Sequence, residues 1–219
     1  MSIAQNLLKI KSTLAEHVTL VAVSKTKPIS DLMEAYEAGQ RIFGENKIQE
    51  MAEKWEAMPK DIQWHMIGHV QSNKVKFMAP FVSLIHGIDS LKLLEEINKQ
   101  ALKNNRIIDC LLQIYIAEEE TKFGLDEEEL TALLASPAFQ EMKNIRIVGL
   151  MGMATFTDNQ EQIKKEFTHL KSIFDKLQPL NTENCQLKTI SMGMSGDYQL
   201  AIECGSTMVR IGSSIFGGR

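Results

Sequence analysis

An apolar run near the amino terminus ends in a lysine. The stretch VTLVAVSKTKP covers residues 18–28, and its composition predicts a β-strand that stops just before Lys25. Because side chains alternate along a strand, Val21, Val23 and Lys25 share one face. If that face is buried, desolvation favours a neutral amine that can attack a carbonyl carbon. Taken alone, a lysine that extends into solvent is the commoner case, and Lys27 should face solvent.

Two segments rich in glycine and serine near the carboxyl terminus could bind an anion. They read SMGMSGD and RIGSSIFGG, and each follows or ends a predicted strand. Ser195 and Gly196 would lie at the start of a helix capped by Asp197, with Gly212 and Ser213 presenting amides and a hydroxyl beside them. Small residues let the main chain approach a phosphate, although glycine and serine are also common in ordinary loops.

An arginine precedes the second of these segments. Arg210 lies two residues after Met208 and two before Gly212, so all three share one face of the last predicted strand. A guanidinium on a buried face needs an acceptor, either a carboxylate or a ring nitrogen. The spacing alone does not separate a structural ion pair from a ligand contact.

Further polar side chains follow other predicted strands. FGENKIQE places Asn46 after the second strand, and WHMIGHVQSNK places His65 and the residues 71–74 at and after the third. GLMGMAT places Met151 after the sixth, where a thioether could pack against a flat ring or fill core. His65 could equally be a hydrogen-bonded core histidine, and residues 71–74 could cap a helix.

Strands and helices alternate along the whole chain. Short β-branched runs predict strands at residues 18–24, 41–43, 62–67, 83–88, 107–116, 145–151, 187–192 and 207–212. Helical periodicity predicts helices at residues 2–16, 30–39, 46–57, 71–79, 90–104, 126–135, 159–177 and 197–203. Ser30, Asp126 and Asp197 are expected to cap helices, and Gly39 is expected to end one.

Eight such units favour one fold. We predict an α/β chain that forms a single (β/α)8 TIM barrel domain over residues 1–219, with an extra helix before the first strand. The GxGxxG loop of an open dinucleotide-binding sheet is absent. Active sites of this barrel lie at the carboxyl ends of the strands, with phosphate after strands seven and eight. The fold would therefore gather the polar groups described above at one mouth.

Composition excludes several classes of protein. The chain has 219 residues, 44% of them hydrophobic, and a net charge of −4, so it offers no basic field for nucleic acid. Cys110, Cys185 and Cys204 are scattered without the spacing of a disulfide framework or a zinc site. The amino-terminal segment lacks the apolar run of a signal peptide or membrane span. We therefore expect a cytoplasmic protein with no nucleic-acid or membrane partner.

A carbonyl-seeking lysine, a phosphate cradle and an arginine for a ring nitrogen together suit pyridoxal 5′-phosphate. The segments LVAVSKTKP, FGENKIQE, WHMIGHVQSNK, GLMGMAT, SMGMSGDY and VRIGSSIFG occur in this order over nearly the whole chain. Together they resemble the pyridoxal phosphate homeostasis protein family, which is related to the N-terminal barrel domain of alanine racemase.

The resemblance implies roles for individual residues. Lys25 would form the internal aldimine, and Arg210 would lie near the pyridine nitrogen. Asn46, His65 and Met151 match positions that line the pocket. The residues implied around the phosphate are Ser195, Gly196, Gly212 and Ser213. The family reading implies a monomeric carrier of the cofactor in vitamin B6 and amino-acid homeostasis, with apo-enzymes as recipients and no catalysis.

Two enzyme readings remain open. A small racemase or other Schiff-base enzyme would use Lys25, but it needs a second acid/base group, and none of Tyr36, Tyr115 and Tyr198 falls at a predicted strand end. We expect no second domain to cover the mouth after residue 219. An aldolase acting on a phosphosugar would use the lysine and the phosphate loops but leaves Arg210 unexplained.

Overall fold

Eight parallel strands form a closed barrel in the computed structural model, which describes residues 2–119 and 122–218. The strands are β1 (Thr19–Val23), β2 (Ile42–Glu45), β3 (Gln63–Met66), β4 (Leu84–Ile88), β5 (Ile108–Gln113), β6 (Ile145–Met151), β8 (Cys185–Ser191) and β9 (Met208–Ile211). Neighbours along the chain pair in parallel, β6 pairs with β8, and β9 pairs with β1 to close the ring. The predicted (β/α)8 barrel is confirmed.

The sheet differs from the prediction in two details. A two-residue strand, β7 (Asn181–Thr182), pairs antiparallel with the start of β8 and lies outside the barrel ring. The fifth strand ends at Gln113 rather than at residue 116, because Ile114 makes only an isolated bridge to Leu125 as the chain leaves the sheet. Neither difference changes which residues follow the strand ends at the mouth.

Helices occupy the connections between the strands. They are α1 (Ile3–Thr13), α2 (Ile29–Glu37), α3 (Ile48–Ala57), α4 (Val75–Met78) preceded by a 3-10 turn (Ser72–Lys74), α5 (Leu91–Lys103), α6 (Glu127–Ala135), α7 (Pro137–Gln140), α8 (Gln160–Leu177), α9 (Tyr198–Glu203) and α10 (Ser213–Phe216). The predicted extra helix is α1, which packs against α2 and α10. The short helices α7 and α10 were not predicted, since four residues give too little periodicity to recognise.

The predicted helix caps are only partly confirmed. Asp126 caps α6 in a capping box, with its carboxylate accepting from the Glu129 amide. Gly39 adopts a left-handed φ of +89° just after α2, as a terminating glycine does. Ser30 is not a cap, because Pro28 occupies that position and the helix has already begun at Ile29. Asp197 precedes α9, but its carboxylate accepts from the Met194 amide instead of the helix amides.

The alternation of side chains along the strands separates two cores. A large core lies between the barrel and its helices. A smaller one fills the barrel interior and contains Val21, Leu84, Leu111, Met151 and Met208. Since Val21 and Met208 point inward, the inward positions further along β1 and β9 reach the carboxyl-terminal mouth. Among the helices of the described residues, none is both long and apolar enough to cross a lipid bilayer.

Candidate functional site at the carboxyl-terminal mouth

A cavity of about 560 Å³ opens at the carboxyl-terminal mouth of the barrel. Its wall comes mainly from residues that follow β1, β2, β3, β6, β8 and β9. Seven of the nine residues singled out in the sequence line it, namely Lys25, Asn46, Ser195, Gly196, Arg210, Gly212 and Ser213. The fold therefore brings residues from both ends of the chain to one site.

Lys25 lies two residues beyond the end of β1, where its side chain is half-buried at the cavity wall. The main chain on both sides of it is held in place. The Ser24 amide donates to the Gly44 carbonyl at 3.0 Å, and the Thr26 amide donates to Glu50 Oε1 at 2.6 Å. Thr26 has a φ of +63°, a left-handed conformation that is unfavourable for a β-branched residue. These contacts hold the turn that carries Lys25.

A charged cluster outside the barrel supports that turn. Lys54 Nζ on α3 donates to the Ser24 carbonyl, to Glu45 Oε1 and to Glu50 Oε1, each at 2.8 Å. Ser24 Oγ donates to the same Glu45 oxygen at 2.6 Å. Burial raises the pKa of Glu45, and the hydrogen bonds from Lys54 and Ser24 oppose that rise. A buried carboxylate held by a lysine and a hydroxyl gives rigid structural support to the turn that carries Lys25.

Asn46 reaches the cavity from the end of β2 because the residue packed against its main chain, Gly68, has no side chain. A Cβ placed on Gly68 would lie 2.5 Å from the Asn46 carbonyl oxygen and 2.8 Å from its Cα. Any other residue at position 68 would push the two strand ends apart. Asn46 itself is half-buried and lines the cavity beside Ile67.

The segments after β8 and β9 form a cradle of main-chain amides. The amides of Gly212 and Ser214 both point toward Ser195 Oγ, at 3.3 and 3.5 Å. A Cβ on Gly212 would lie 3.1 Å from the Val23 carbonyl oxygen, so this position favours glycine. A Cβ on Gly196 would meet no atom within 4 Å, which leaves space open beside the amides. This arrangement of amides, hydroxyl and open space suits the oxygens of a phosphate.

Arg210 lies on β9 at the edge of the cavity and is only 4% exposed. Its Nη1 donates to the carbonyl and to the hydroxyl of Ser191, at 2.9 and 2.6 Å, and its Nη2 donates to the Gly152 carbonyl at 3.2 Å. These partners are uncharged, and among the described residues no carboxylate forms the structural ion pair with the guanidinium that the spacing left open. Burial lowers its pKa to about 10, and the charge of Asp197 opposes that shift.

Two residues expected on the pocket wall lie below it. Met151 is fully buried in the barrel interior, and His65 is 3% exposed and contacts His86. Both belong to the strands themselves, at or near their last residues. The cavity is lined instead by Ile67 and Met153, two residues further along the same strand faces. The cavity wall therefore begins one inward position further along these strands than the sequence suggested.

The expectation that Lys27 faces solvent is wrong. Its Nζ donates to the carbonyls of Phe216 and Gly218, each at 3.0 Å, and it lines the cavity. The carbonyls belong to the last residue of α10 and to the segment after it, so Lys27 holds the carboxyl-terminal residues across the mouth. The sequence signals no such contact, because 189 positions separate Lys27 from Phe216.

The loop after β6 forms the remaining wall, and its part beyond Thr155 was not singled out in the sequence. Thr155 in this loop is fixed by Glu166, which accepts from its amide at 2.7 Å and from its hydroxyl at 2.7 Å. Phe156 follows, lines the cavity and is 93% exposed. The sequence signal that could have located this loop is the Thr-Phe-Thr run at residues 155–157, shortly after the sixth strand.

Comparison with known proteins assigns the chain to a family. A family model described as "Alanine racemase, N-terminal domain" matches residues 1–219. A protein of Aquifex aeolicus named "Pyridoxal phosphate homeostasis protein" is 40% identical over 201 residues, 91% of this chain and 86% of that protein. One of the same name from Escherichia coli K12 is 36% identical and covers 99% and 97%. The chain belongs to the pyridoxal phosphate homeostasis protein family.

Solved structures agree with this family assignment. PipY of Synechococcus elongatus, solved with pyridoxal phosphate bound, superimposes with a TM-score of 0.88 at 34% identity and covers 99% of this chain and 100% of that one. An alanine racemase of Clostridium difficile superimposes with a TM-score of 0.80 at 15% identity, over 100% of this chain but 56% of that one. The second likeness shows the shared barrel fold and nothing further.

Proposed function

We propose that this protein binds pyridoxal 5′-phosphate at the carboxyl-terminal mouth, attaches it to Lys25, and acts in pyridoxal phosphate homeostasis. The observation that carries the proposal is the meeting of Lys25, the amide cradle of Gly212 and Ser214, and Arg210 on one cavity of about 560 Å³. The names of its relatives and the cofactor bound to PipY support the same conclusion.

Each part of the cofactor has a counterpart on this chain. The cofactor supplies an aldehyde that a lysine amine can bind covalently and a ring that withdraws electrons. The Lys25 amine is the attachment point, held at a fixed position by the rigid turn between Ser24 and Thr26. The amides of Gly212 and Ser214 and the Ser195 hydroxyl would bind the phosphate. Arg210 would face the ring nitrogen, and Asn46 would complete the wall.

We further propose that the protein carries the cofactor and does not turn over a substrate. Moving a proton on an amino acid needs a second positioned acid/base group besides the lysine. The three tyrosines and five histidines all fall within the described residues, and none of them lines the cavity. The Tyr36 hydroxyl donates to Asp61, and the Tyr115 hydroxyl donates to the Glu119 carbonyl. The Tyr198 hydroxyl lies 3.2 Å from Thr13 Oγ1.

An arginine beside the ring also argues for a carrier. A guanidinium stays protonated and positively charged, so it disfavours protonation of the neighbouring pyridine nitrogen. An unprotonated ring is a weaker electron sink. Carbanion formation would then depend more heavily on acid/base groups around the substrate, and the cavity wall carries no tyrosine or histidine from the described residues. Within this proposal the protein is a cytoplasmic monomer, and its partners are apo-enzymes that accept the cofactor.

A transfer experiment tests the proposal against catalysis. The protein loaded with pyridoxal phosphate should activate an added apo-enzyme that depends on this cofactor, measured through that enzyme's own reaction. The same loaded protein should give no racemisation, decarboxylation or transamination of D- or L-alanine or serine above that of free cofactor. Sustained turnover that disappears in Lys25→Ala would instead establish a racemase-like enzyme.

A further inference from the structure

A line of four buried polar side chains runs through the barrel interior behind the cavity. Arg210 Nη1 donates to Ser191 Oγ at 2.6 Å, and the same hydroxyl lies 3.0 Å from His86 Nδ1. His86 Nε2 lies 3.1 Å from His65 Nδ1. The four residues come from β9, β8, β4 and β3, and all are at least 96% buried. Polar groups this deep in an apolar barrel require mutual hydrogen bonding.

The donor inventory is consistent with a direction along this line in which Ser191 donates to His86. A guanidinium only donates, so Ser191 Oγ accepts from Arg210 and can give its own proton to His86 Nδ1. His86 Nδ1 is then an acceptor, which leaves the ring proton of a neutral imidazole on Nε2. That proton points at His65 Nδ1, so His65 is also the Nε2–H tautomer. One consistent pattern of protons therefore runs from Arg210 to His65.

The surroundings keep both imidazoles uncharged. Burial lowers the pKa of His65 to about 3. Burial, followed by the charges of His65 and Arg210, lowers the pKa of His86 well below its ordinary value. The charge of Asp197 acts on Arg210 at one end of this line. At the other end Asp109, Arg146 and Lys188 line a second cavity beside His65. Asp109 already accepts two hydrogen bonds from Arg146, at 2.8 and 3.0 Å, so it is engaged away from the imidazoles.

We propose that Ser191, His86 and His65 are positioning residues that fix the Arg210 guanidinium at the floor of the cofactor site. An arginine without a carboxylate partner has no bidentate contact to set the plane of its guanidinium. Here the Ser191 hydroxyl and carbonyl hold Nη1, and the two imidazoles in turn fix the direction of the hydroxyl. The effect on cofactor binding rests on the proposed function. The arrangement of protons along the four side chains can be tested without a bound cofactor.

Nitrogen NMR on cofactor-free protein with ¹⁵N-labelled histidine tests the proton pattern directly. We expect His65 and His86 to show neutral rings with the proton on Nε2, unchanged between about pH 5 and pH 8. A proton on Nδ1 of either ring, or titration of either within that range, would overturn the proposed direction. This measurement needs no variant and no cofactor, so it is independent of whether the protein binds pyridoxal phosphate.

A matched pair of serine variants tests the effect on Arg210. Ser191→Ala removes the link between Arg210 and His86, and we expect about tenfold weaker cofactor binding, equal to about 1.4 kcal/mol, with a shifted absorbance maximum. Ser191→Thr retains the hydroxyl and should restore both. Ser206→Ala serves as control, because this buried hydroxyl contacts only main-chain carbonyls of Ile190, Met192 and Met208. Identical affinity and spectra for Ser191→Ala and Ser206→Ala would reject the positioning role.

Discussion

The two mouths of the barrel both carry a cavity and a cation, yet they differ in what the cation contacts. At the amino-terminal mouth, a cavity of about 390 Å³ contains Arg146, whose guanidinium is paired with Asp109 in a bidentate contact. That contact raises the pKa of Arg146. At the carboxyl-terminal mouth, Arg210 donates to uncharged oxygens. The charge of Arg146 is therefore neutralised by a paired carboxylate, whereas the hydrogen bonds of Arg210 are made to neutral oxygens.

The main-chain amides at the two mouths also differ in whether the sheet uses them for hydrogen bonding. The amino-terminal cavity is lined largely by side chains within the strands, such as Gln63, Leu84 and Thr189, whose amides belong to the sheet. The carboxyl-terminal cavity is lined mainly by residues beyond the strands, where the amides of Gly212 and Ser214 point at a hydroxyl and not at a strand partner. A cavity with a cation is thus not sufficient evidence for an anion site, and amides outside the sheet beside small residues are the better sign.

The strongest way to break this contrast is to remove the amine at the carboxyl-terminal mouth. We expect Lys25→Ala to abolish the visible absorbance of protein incubated with pyridoxal phosphate and then dialysed, with the fold retained because the side chain is not part of the core. Lys74→Ala is the control, since Lys74 contacts Gln49 outside the cavity and should leave the band unchanged. A band that survives in Lys25→Ala would move the attachment point to another lysine.

The next largest effect should come from placing a charge in the amide cradle. Ser195→Ala loses one charge-assisted hydrogen bond, which costs about 1–3 kcal/mol of cofactor binding. Ser195→Asp sets a carboxylate against the phosphate and should weaken retention far more, and Ser213→Asp should act in the same direction. Equilibrium dialysis of each pair measures the difference. Equal retention in the Asp and Ala variants would place the phosphate elsewhere.

Much of this mouth could be predicted from the sequence, and the failures share a physical cause. Strand ends and alternation were enough to bring Lys25, Arg210 and Gly212 to one site. His65 and Met151 were placed on the wall because alternation shows which residues face inward but not how far along the strand the packed interior of the barrel ends. The contacts of Lys27 and the line from Arg210 through Ser191 to the histidines depend on partners up to 191 positions apart, which only the closed barrel specifies.

A smaller effect, on stability, follows from the buried histidines that lie between the two cavities. Both have lowered pKa values in the folded state, so the unfolded chain binds more protons below about pH 6.5. Stability is therefore complete above about pH 6.5 and falls as the pH drops toward the folded pKa, by about 1.4 kcal/mol per pH unit for each histidine.

Urea unfolding of wild type and His86→Gln between about pH 4.5 and pH 7 measures that slope. We expect the slope of unfolding free energy against pH to decrease in His86→Gln by an amount that corresponds to about one bound proton. The slope should stay unchanged in His17→Gln, which alters an exposed histidine. Comparing variants removes the contribution of Glu45, whose raised pKa acts in the opposite direction. A wild-type slope no steeper than that of His86→Gln would show that His86 is protonated in the folded state.

The smallest effect should come from the amino-terminal mouth. Arg146→Met breaks the pair with Asp109, but both side chains are partly exposed, at 45% and 30%, so solvent screening limits the loss of unfolding free energy to below about 1 kcal/mol. Cofactor affinity should stay at the wild-type value, because this pair lies at the other end of the barrel. A clear drop in affinity would show that the amino-terminal cavity takes part in binding.

The most direct test of the account is to locate the cofactor on the chain. Protein loaded with pyridoxal phosphate is reduced with borohydride, digested, and sequenced by tandem mass spectrometry. The account predicts a reduced pyridoxyl group on Lys25, with Lys27 and Lys122 unmodified although both line the same cavity. Label on Lys27, on Lys122 or on a lysine outside the mouth, with Lys25 unlabelled, would contradict it.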